Sequence, residues 1–376
     1  MRQNVVFLIR DLNYGGAQRQ LVTLVKGLNK QSFDVIVLCF YRGGPLEKEL
    51  KDNEIPLICL EKRERWDIFG FFWRLFQHLK HIQPDVLHGY LGESNVLTIF
   101  LKPLFPSTKM IWGIRGSNTD PDLYGWLGRV LSQLESLLSP FADSIIVNSH
   151  AGKTYYLTHG FPSDKMVVIP NGLDTKRFQP DSEARAKVRA EWKISENTIL
   201  IGLVGRLNPM KDHPNFLKAA ALICKQRQDV HFVCVGTGLE NYAQELYELT
   251  SKLGINERVI WAGARPDMPA VHNALDIATS ASAYGEGFAN VIGEAMACGV
   301  PCVVTDVGDS KWIVGDAGVV VAPSNAQALF AGWLEILQMN REKLSIMART
   351  RIKENFQTKV LYEKTENILI SVIRQR

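Results

Sequence analysis

Apolar residues recur along this chain in two rhythms that take turns. Short runs rich in β-branched and aromatic residues, at 5–9, 35–40, 56–60, 86–90, 110–114, 144–148 and 166–169, read as strands. Most are separated by segments whose apolar residues fall three and four apart, such as Leu21, Leu24, Val25 and Leu28, the spacing of a helix with one buried face. Strand and helix in alternation predict a parallel sheet covered on both sides. The turn-rich stretch Pro170-Asn171-Gly172-Leu173-Asp174, followed by Phe178-Gln179-Pro180, breaks the pattern and is the linker expected between two domains. Beyond it the alternation restarts, with strands expected at 199–204, 230–236, 259–263, 277–280, 301–305 and 318–321. Residues 358–376 read as one amphipathic helix carrying Val360, Leu361, Ile368, Leu369 and Val372. The expected fold is α/β, with two Rossmann-like, doubly wound parallel-sheet domains, the second smaller. A length of 376 residues is itself more than one core usually supports.

Composition adds exclusions. With 46% hydrophobic and 22% charged residues the chain reads as globular, and a net charge of +4 is too small for a dedicated nucleic-acid binder. The cysteines, at 39, 59, 224, 234, 298 and 302, lie on apolar patterns, form no Cys-x-x-Cys pair and suit buried free thiols in a reducing compartment. The first apolar run is too short for a signal peptide, and no stretch approaches the roughly 18 apolar residues of a membrane span. A cytoplasmic protein is expected.

In open parallel sheets ligands bind where the strands end and helices begin, so the loops after the strands are where chemistry is expected. Tyr284-Gly285-Glu286-Gly287-Phe288-Ala289-Asn290 is such a loop, turning helical near Asn290 and placing Glu294 in the second helical turn. Its glycines let backbone amides approach a phosphate, and a carboxylate can accept two hydrogen bonds from a vicinal diol of ribose or a hexose. Glu286 can also be read as a solvated loop acid. A surface reading of Glu294 conflicts with Val291, Ile292, Ala295 and Met296 around it, because a charge among them needs a partner. Gly205-Arg206-Leu207-Asn208-Pro209-Met210-Lys211 follows another strand, and its two cations can converge on a diphosphate or stand as exposed loop charges. Gly15 and Gly16 open the first helix with bare amides, but the Gly-x-Gly-x-x-Gly fingerprint is absent, which argues against a nicotinamide or flavin enzyme.

These segments, in this order and spacing, together with the linker Val168-Ile169-Pro170-Asn171-Gly172-Leu173-Asp174, resemble glycosyltransferase family 4. The match runs over nearly the whole chain and is most specific over 166–322, where Thr305-Asp306-Val307-Gly308 and Asp316-Ala317-Gly318 belong to it. The resemblance implies the GT-B fold, two Rossmann-like domains facing across a cleft, and retention of anomeric configuration. It implies an acceptor-side domain at 1–170, onto which 358–376 packs back, and a nucleotide-sugar domain at 171–357. By the same resemblance Glu294 binds the nucleotide ribose and Glu286 lies by the donor sugar, while Arg206 and Lys211 hold the diphosphate. Glu286, Arg206 and Lys211 are then the catalytic candidates. Gly15 and Gly16 close over the phosphates, Gly287, Phe288, Ala289 and Asn290 line the donor, and the loop bearing Arg265 passes the base.

The chain also departs from that pattern. Many family members carry a His in the loop after the fifth strand, beside the donor sugar. Here the loop reads Gly113-Ile114-Arg115-Gly116-Ser117-Asn118, so Arg115 or Ser117 is expected in its place. Gly308 is followed by Asp309 where a second glycine is common. Asp120-Pro121-Asp122 has the form of a metal-diphosphate motif from another fold, but ahead of a helical pattern its acids read as caps. No His, Cys and carboxylate cluster has metal-ligand spacing, so no cofactor and no essential metal are expected. The aromatic segment 66–76, preceded by Lys62-Arg63-Glu64-Arg65, reads either as a core helix or as a surface for a membrane interface or acceptor.

The reaction expected is retaining transfer of a hexosyl or N-acetylhexosaminyl group from a nucleoside-diphosphate sugar, UDP-linked by preference, to a saccharide or lipid-linked acceptor hydroxyl. The protein would work in the cytoplasm or peripherally on the inner membrane face. A sugar-nucleotide epimerase, a phosphorylase or a silent sugar-nucleotide-binding module on the same fold are the alternatives.

Overall fold

The computed structural model describes residues 2–64, 66–116 and 125–375. Its contacts divide the chain into two compact units, Met1–Gly172 with Thr358–Arg376, and Leu173–Gln357. Ser117 and the Asp120-Pro121-Asp122 motif lie outside the described residues.

The first unit is built on β1 (Gln3–Ile9), β2 (Phe33–Cys39), β3 (Leu57–Cys59), β4 (Val86–Tyr90), β5 (Lys109–Ile114), β6 (Ser144–Val147) and β7 (Met166–Val168). They form one 7-stranded sheet in the order β3-β2-β1-β4-β5-β6-β7, and all neighbours are parallel. Val5 pairs with Val35 on one side and Val86 on the other, so the order reverses between β1 and β4. β3 starts one residue later than the pattern suggests, since Pro56 has no N–H for the ladder. Pro56 does supply a carbonyl, accepting from the Val37 amide at 2.9 Å. Helix Thr358–Arg374 returns to this unit and puts Leu361, Leu369 and Val372 into the same core as Val5, Phe7, Leu21 and Val37. On the other face Phe71, Leu75 and Leu79 meet Val6, Leu8, Leu38 and Trp112.

Helix Ile68–Ile82 therefore is a core helix, but only on one side. Trp66, Phe69 and Trp73 are exposed, Phe69 to 91%. Its aromatic face continues through Phe76, whose ring lies 5.6 Å from Phe105, to exposed Phe100 and Leu104. In helix Gly125–Leu138, burial pushes the Glu135 carboxyl up to about 7, partly offset by a hydrogen bond from Asn95.

The second unit has β8 (Ile199–Val204), β9 (Val230–Val235), β10 (Val259–Gly263), β11 (Ile277–Ser280), β12 (Cys302–Thr305) and β13 (Gly318–Val321). This 6-stranded parallel sheet runs β10-β9-β8-β11-β12-β13, reversing between β8 and β11. Its central strands are buried on both faces, one against Phe216, Leu217 and Trp333, the other against Ile292, Ala295 and Met296. The six cysteines are free, and burial raises the thiols of Cys39, Cys234, Cys298 and Cys302, that of Cys298 to about 12. Among the described residues no helix is long and apolar enough to cross a membrane.

Candidate active site

The loops after β8 and β11 leave the sheet on either side of its reversal, and they carry the strongest sequence signals. After β8, Asn208 caps a short 3-10 turn, Pro209–Lys211, by accepting from the Met210 amide at 2.9 Å. Asp212 takes a left-handed backbone with φ of 48° and caps the next helix, His213–Cys224. This double bend folds Lys211 back over Gly205, where a Cβ would stand 3.3 Å from Lys211 Cε. The Met210 carbonyl accepts from the Ala283 amide at 2.9 Å, tying this turn to the loop after β11.

Lys211 Nζ is paired with Glu286 Oε1, and Ser282 Oγ donates to the same oxygen at 2.7 Å. Glu286 is 8% exposed. Burial alone would raise its carboxyl, but the charge and hydrogen bond of Lys211, the Ser282 hydroxyl and the charge of Arg206 together hold it below the ordinary carboxylate value. Arg206 itself is exposed. His213, buried beside Lys211, is pushed down to about 4 by burial and that neighbouring charge. The solvated reading of Glu286 is therefore replaced by a buried, paired acid.

Gly308 supports the same loop from β12. Its φ is +61°, and a Cβ there would stand 2.4 Å from the Glu286 carbonyl oxygen. The Asp309 amide then donates to the Gly287 carbonyl at 3.0 Å. Helix Asn290–Ala297 starts at Ala289 with no side-chain cap, so its first amides are presented to the loop. Phe288 packs on Trp312 and Phe356 and is 5% exposed, and Ala289 is buried as well. Of the expected donor-lining residues, those two offer backbone and not side chain.

Glu294, 13% exposed at its side chain, lies 3.4 Å from His272 Nε2. His272 is fully buried, and its Nδ1 has no partner. Arg265 follows β10 and is ion-paired. It is gripped by both oxygens of Glu191 and by both oxygens of Asp267, at 2.9 and 2.8 Å for the latter. Four of its donor contacts are thus on carboxylates, which fix the guanidinium within its own unit.

In the first unit, Gly15 precedes helix Gly16–Gly27, which also starts without a side-chain cap and without an acid in its first turn. A Cβ at Gly15 would stand 2.3 Å from Gln18 Oε1, the far end of a side chain that can swing aside, so this contact alone does not require the glycine. Arg115 follows β5 and stacks on Tyr90, 4.5 Å from its ring centroid.

Residues 184–357 match the family model described as glycosyl transferases group 1, and residues 14–177 match the one described as glycosyltransferase family 4. The chain belongs to glycosyltransferase family 4. This family 4 glycosyltransferase is 24% identical over 306 residues to the UDP-Gal:alpha-D-GlcNAc-diphosphoundecaprenol alpha-1,3-galactosyltransferase of Escherichia coli, covering 80% of the chain and 78% of that protein. It is 27% identical over 315 residues to a D-inositol 3-phosphate glycosyltransferase of Corynebacterium urealyticum, covering 77% and 71%. A GDP-mannose-dependent mannosyltransferase of Mycolicibacterium smegmatis matches over 198 residues at 29% identity, covering 50% of the chain and 51% of that protein. Among solved structures, Anabaena HepE in complex with UDP superposes with a TM-score of 0.85 at 22% identity, covering 99% of the chain and 100% of HepE. WaaG, a glycosyltransferase of lipopolysaccharide biosynthesis, gives 0.71 at 18%, covering 97% and 99%. At those identities the shared property is the GT-B fold.

Within this family 4 enzyme the fold brings Lys211, Glu286 and Glu294 to the carboxyl edge of one sheet. Ser282 and His272 escaped the sequence reading. Ser282 stands four residues before Glu286 in a bland Ala-Ser-Ala stretch, while His272 comes from a different helix, Met268–Ala274. The one signal for a partner was the need of Glu294, in an apolar helix, to have one.

Proposed function

We propose that the enzyme transfers a hexosyl or N-acetylhexosaminyl group from a UDP-sugar, with retention, to a hydroxyl of a growing glycan or lipid-linked saccharide. The observation carrying this reading is the buried Lys211–Glu286 pair, set with Arg206 ahead of an uncapped helix. A departing nucleoside diphosphate needs its negative charge stabilised, and Arg206, Lys211 and helix-end amides are preorganised cations and dipoles for that task. Glu294 accepts the ribose diol. Glu286 lies by the sugar and keeps Lys211 oriented. Retention then follows from front-face attack guided by the departing phosphate. The sugar nucleotides in the names of the relatives support the donor class, and UDP in the HepE complex supports the base.

Nucleotide release from UDP-glucose, UDP-galactose, UDP-N-acetylglucosamine and GDP-mannose tests the reading directly. A UDP-sugar is expected to turn over in EDTA, since the leaving group is neutralised by side chains. Lys211→Ala should lower kcat by roughly 30- to 1,000-fold, the equivalent of about 2–4 kcal/mol. No nucleotide release from any donor, or kinetics unchanged in Lys211→Ala, would discard it.

A second reading concerns the acceptor side. The exposed Trp66, Phe69 and Trp73 are joined between residues 62 and 80 by Lys62, Arg63, Arg65, Arg74 and Lys80, which outnumber Glu64 and Asp67. Aromatic side chains flanked by cations suit an anionic lipid surface. Sedimentation with phosphatidylglycerol vesicles, lost in a Phe69→Asp/Trp73→Asp variant and absent with phosphatidylcholine, is expected. Equal sedimentation of both proteins would refute it.

A further inference from the structure

Two of the six cysteines stand face to face. β2 and β3 are parallel neighbours whose register sets Cys39 directly opposite Cys59. Residues so paired point to the same face of a sheet, and here both side chains lie against the core that holds Leu21, Leu46 and Leu50. Neighbouring strands stand about 4.8 Å apart, inside the span of roughly 4.4–6.8 Å between the Cα atoms of a disulfide. The thiols already interact: burial first, then the charge and the hydrogen bond of Cys59, raise the thiol of Cys39. The other two strand cysteines face no cysteine. Cys234 stands opposite Leu203 and Trp261, and Cys302 opposite Ala278 and Gly318.

The paired sulfurs differ in access. Cys39 is fully buried, whereas Cys59 is half-buried on a three-residue strand at the edge of its sheet. The Cys59 thiol donates to the Phe40 carbonyl at 3.9 Å, a weak bond that is easily given up. Cys59 is therefore the sulfur that an oxidant in solution reaches, and Cys39 is the one placed to complete a bond to it. The end of β3 also supports more than itself. The Leu60 and Glu61 carbonyls accept from Arg74 at 2.7 and 3.2 Å, which seats helix Ile68–Ile82 on this edge.

We propose that Cys39 and Cys59 are a peroxide-responsive pair that closes into a disulfide between β2 and β3. The Cys59 thiolate attacks one oxygen of hydrogen peroxide. An S–O bond forms, the O–O bond breaks, and the hydroxide released takes up the proton that Cys59 gave to solvent. The Cys39 sulfur then attacks the sulfenic acid. The S–S bond forms, the S–O bond breaks, and the departing hydroxide leaves as water with the Cys39 proton. The buried thiol thus needs no prior ionisation. Two thiols lose two electrons, and one peroxide becomes two waters. In a reducing compartment the pair rests as thiols. Once closed, the bond ties residues 40–58 into a loop and fixes the edge on which helix Ile68–Ile82 sits.

The test treats the purified full chain with hydrogen peroxide and then blocks the surviving thiols with N-ethylmaleimide in denaturant. Of the six thiols, two are expected to disappear, with the loss of two hydrogen atoms in mass. Tryptic peptides 31–42 and 52–62 should appear joined, and dithiothreitol should part them. Cys39→Ala is expected to leave Cys59 as a sulfenic acid that dimedone captures, and Cys59→Ser to leave Cys39 unreacted. Amide exchange over 57–62 should slow by roughly threefold or more in oxidised wild type and stay unchanged in Cys59→Ser. The peptide map of wild type decides the pairing even where a variant fails to fold. Six thiols surviving excess peroxide overturn the proposal, as do links that join other cysteines or two chains. A closed bond that leaves exchange over 57–62 unmoved overturns the clamp on the sheet edge.

Discussion

Glu294 stands 3.4 Å from His272 Nε2, close enough for one hydrogen bond and leaving its other carboxylate oxygen available to a ribose. Glu294→Gln keeps the shape and a bond to the imidazole but removes the charge that strengthens bonds to a diol. UDP affinity should fall by roughly 1–3 kcal/mol in calorimetry, with little change in the unliganded melting temperature. A destabilised variant with normal affinity would make the carboxylate a structural partner of His272. Glu135 supplies the opposite case, a carboxyl whose folded value of about 7 exceeds the ordinary 4.5 because of burial. The folded state favours its protonated form, so this contribution to stability is full below pH 4.5 and is lost as pH rises through 7. Glu135→Gln should therefore stabilise the protein by about 1–3 kcal/mol at pH 8 and hardly at all at pH 4. Melting temperatures at the two pH values check it. Single residues were also where reading the sequence reached its limit. Glu286 was legible because glycines flank it after a strand, whereas the engagement of Arg265 was hidden. Its partner Glu191 stands 74 positions away, and only the folded chain brings them together.

At the scale of elements the apolar periodicity carried nearly everything. β8, β10, β11 and β13 begin and end where it places them, each a short run of apolar and small residues bounded by turn residues. One end shifted for a local reason: β12 starts at Cys302 and not at Pro301, which has no amide to give. Helix Ile68–Ile82 defeated the choice between core and surface, since aromatic residues occupy both of its sides and composition does not say which side faces in. The loop after β12 depends on Gly308 more than on any side chain. Gly308→Ala would place a methyl at positive φ and against the Glu286 carbonyl. A loss of about 1–3 kcal/mol in stability is expected, with weaker UDP binding as the Glu286 loop shifts. Normal melting and normal binding in that variant would show the loop to be more adaptable than its geometry suggests.

For the whole molecule, the two units differ in how the chain makes them. Leu173–Gln357 is continuous, while the first unit is assembled from Met1–Gly172 and Thr358–Arg376. Gly172 sits where Gln20 bonds its carbonyl at 3.0 Å and its amide at 2.9 Å, and a Cβ on it would stand 3.0 Å from Leu361. Deleting 358–376 should therefore uncover the core of the first unit and leave the second with its own contacts. Limited proteolysis is expected to degrade residues before 173 and spare a fragment near 173–357. Uniform resistance would mean that the first sheet holds without its returning helix. On a translating ribosome this arrangement imposes a wait. The first 172 residues emerge, then 185 more pass, before the helix bearing Leu361, Leu369 and Val372 leaves the exit tunnel. Throughout that interval the nascent first unit has an unfilled apolar slot beside Val5, Phe7, Leu21 and Val37, and a stop codon a few turns early would leave it unfilled.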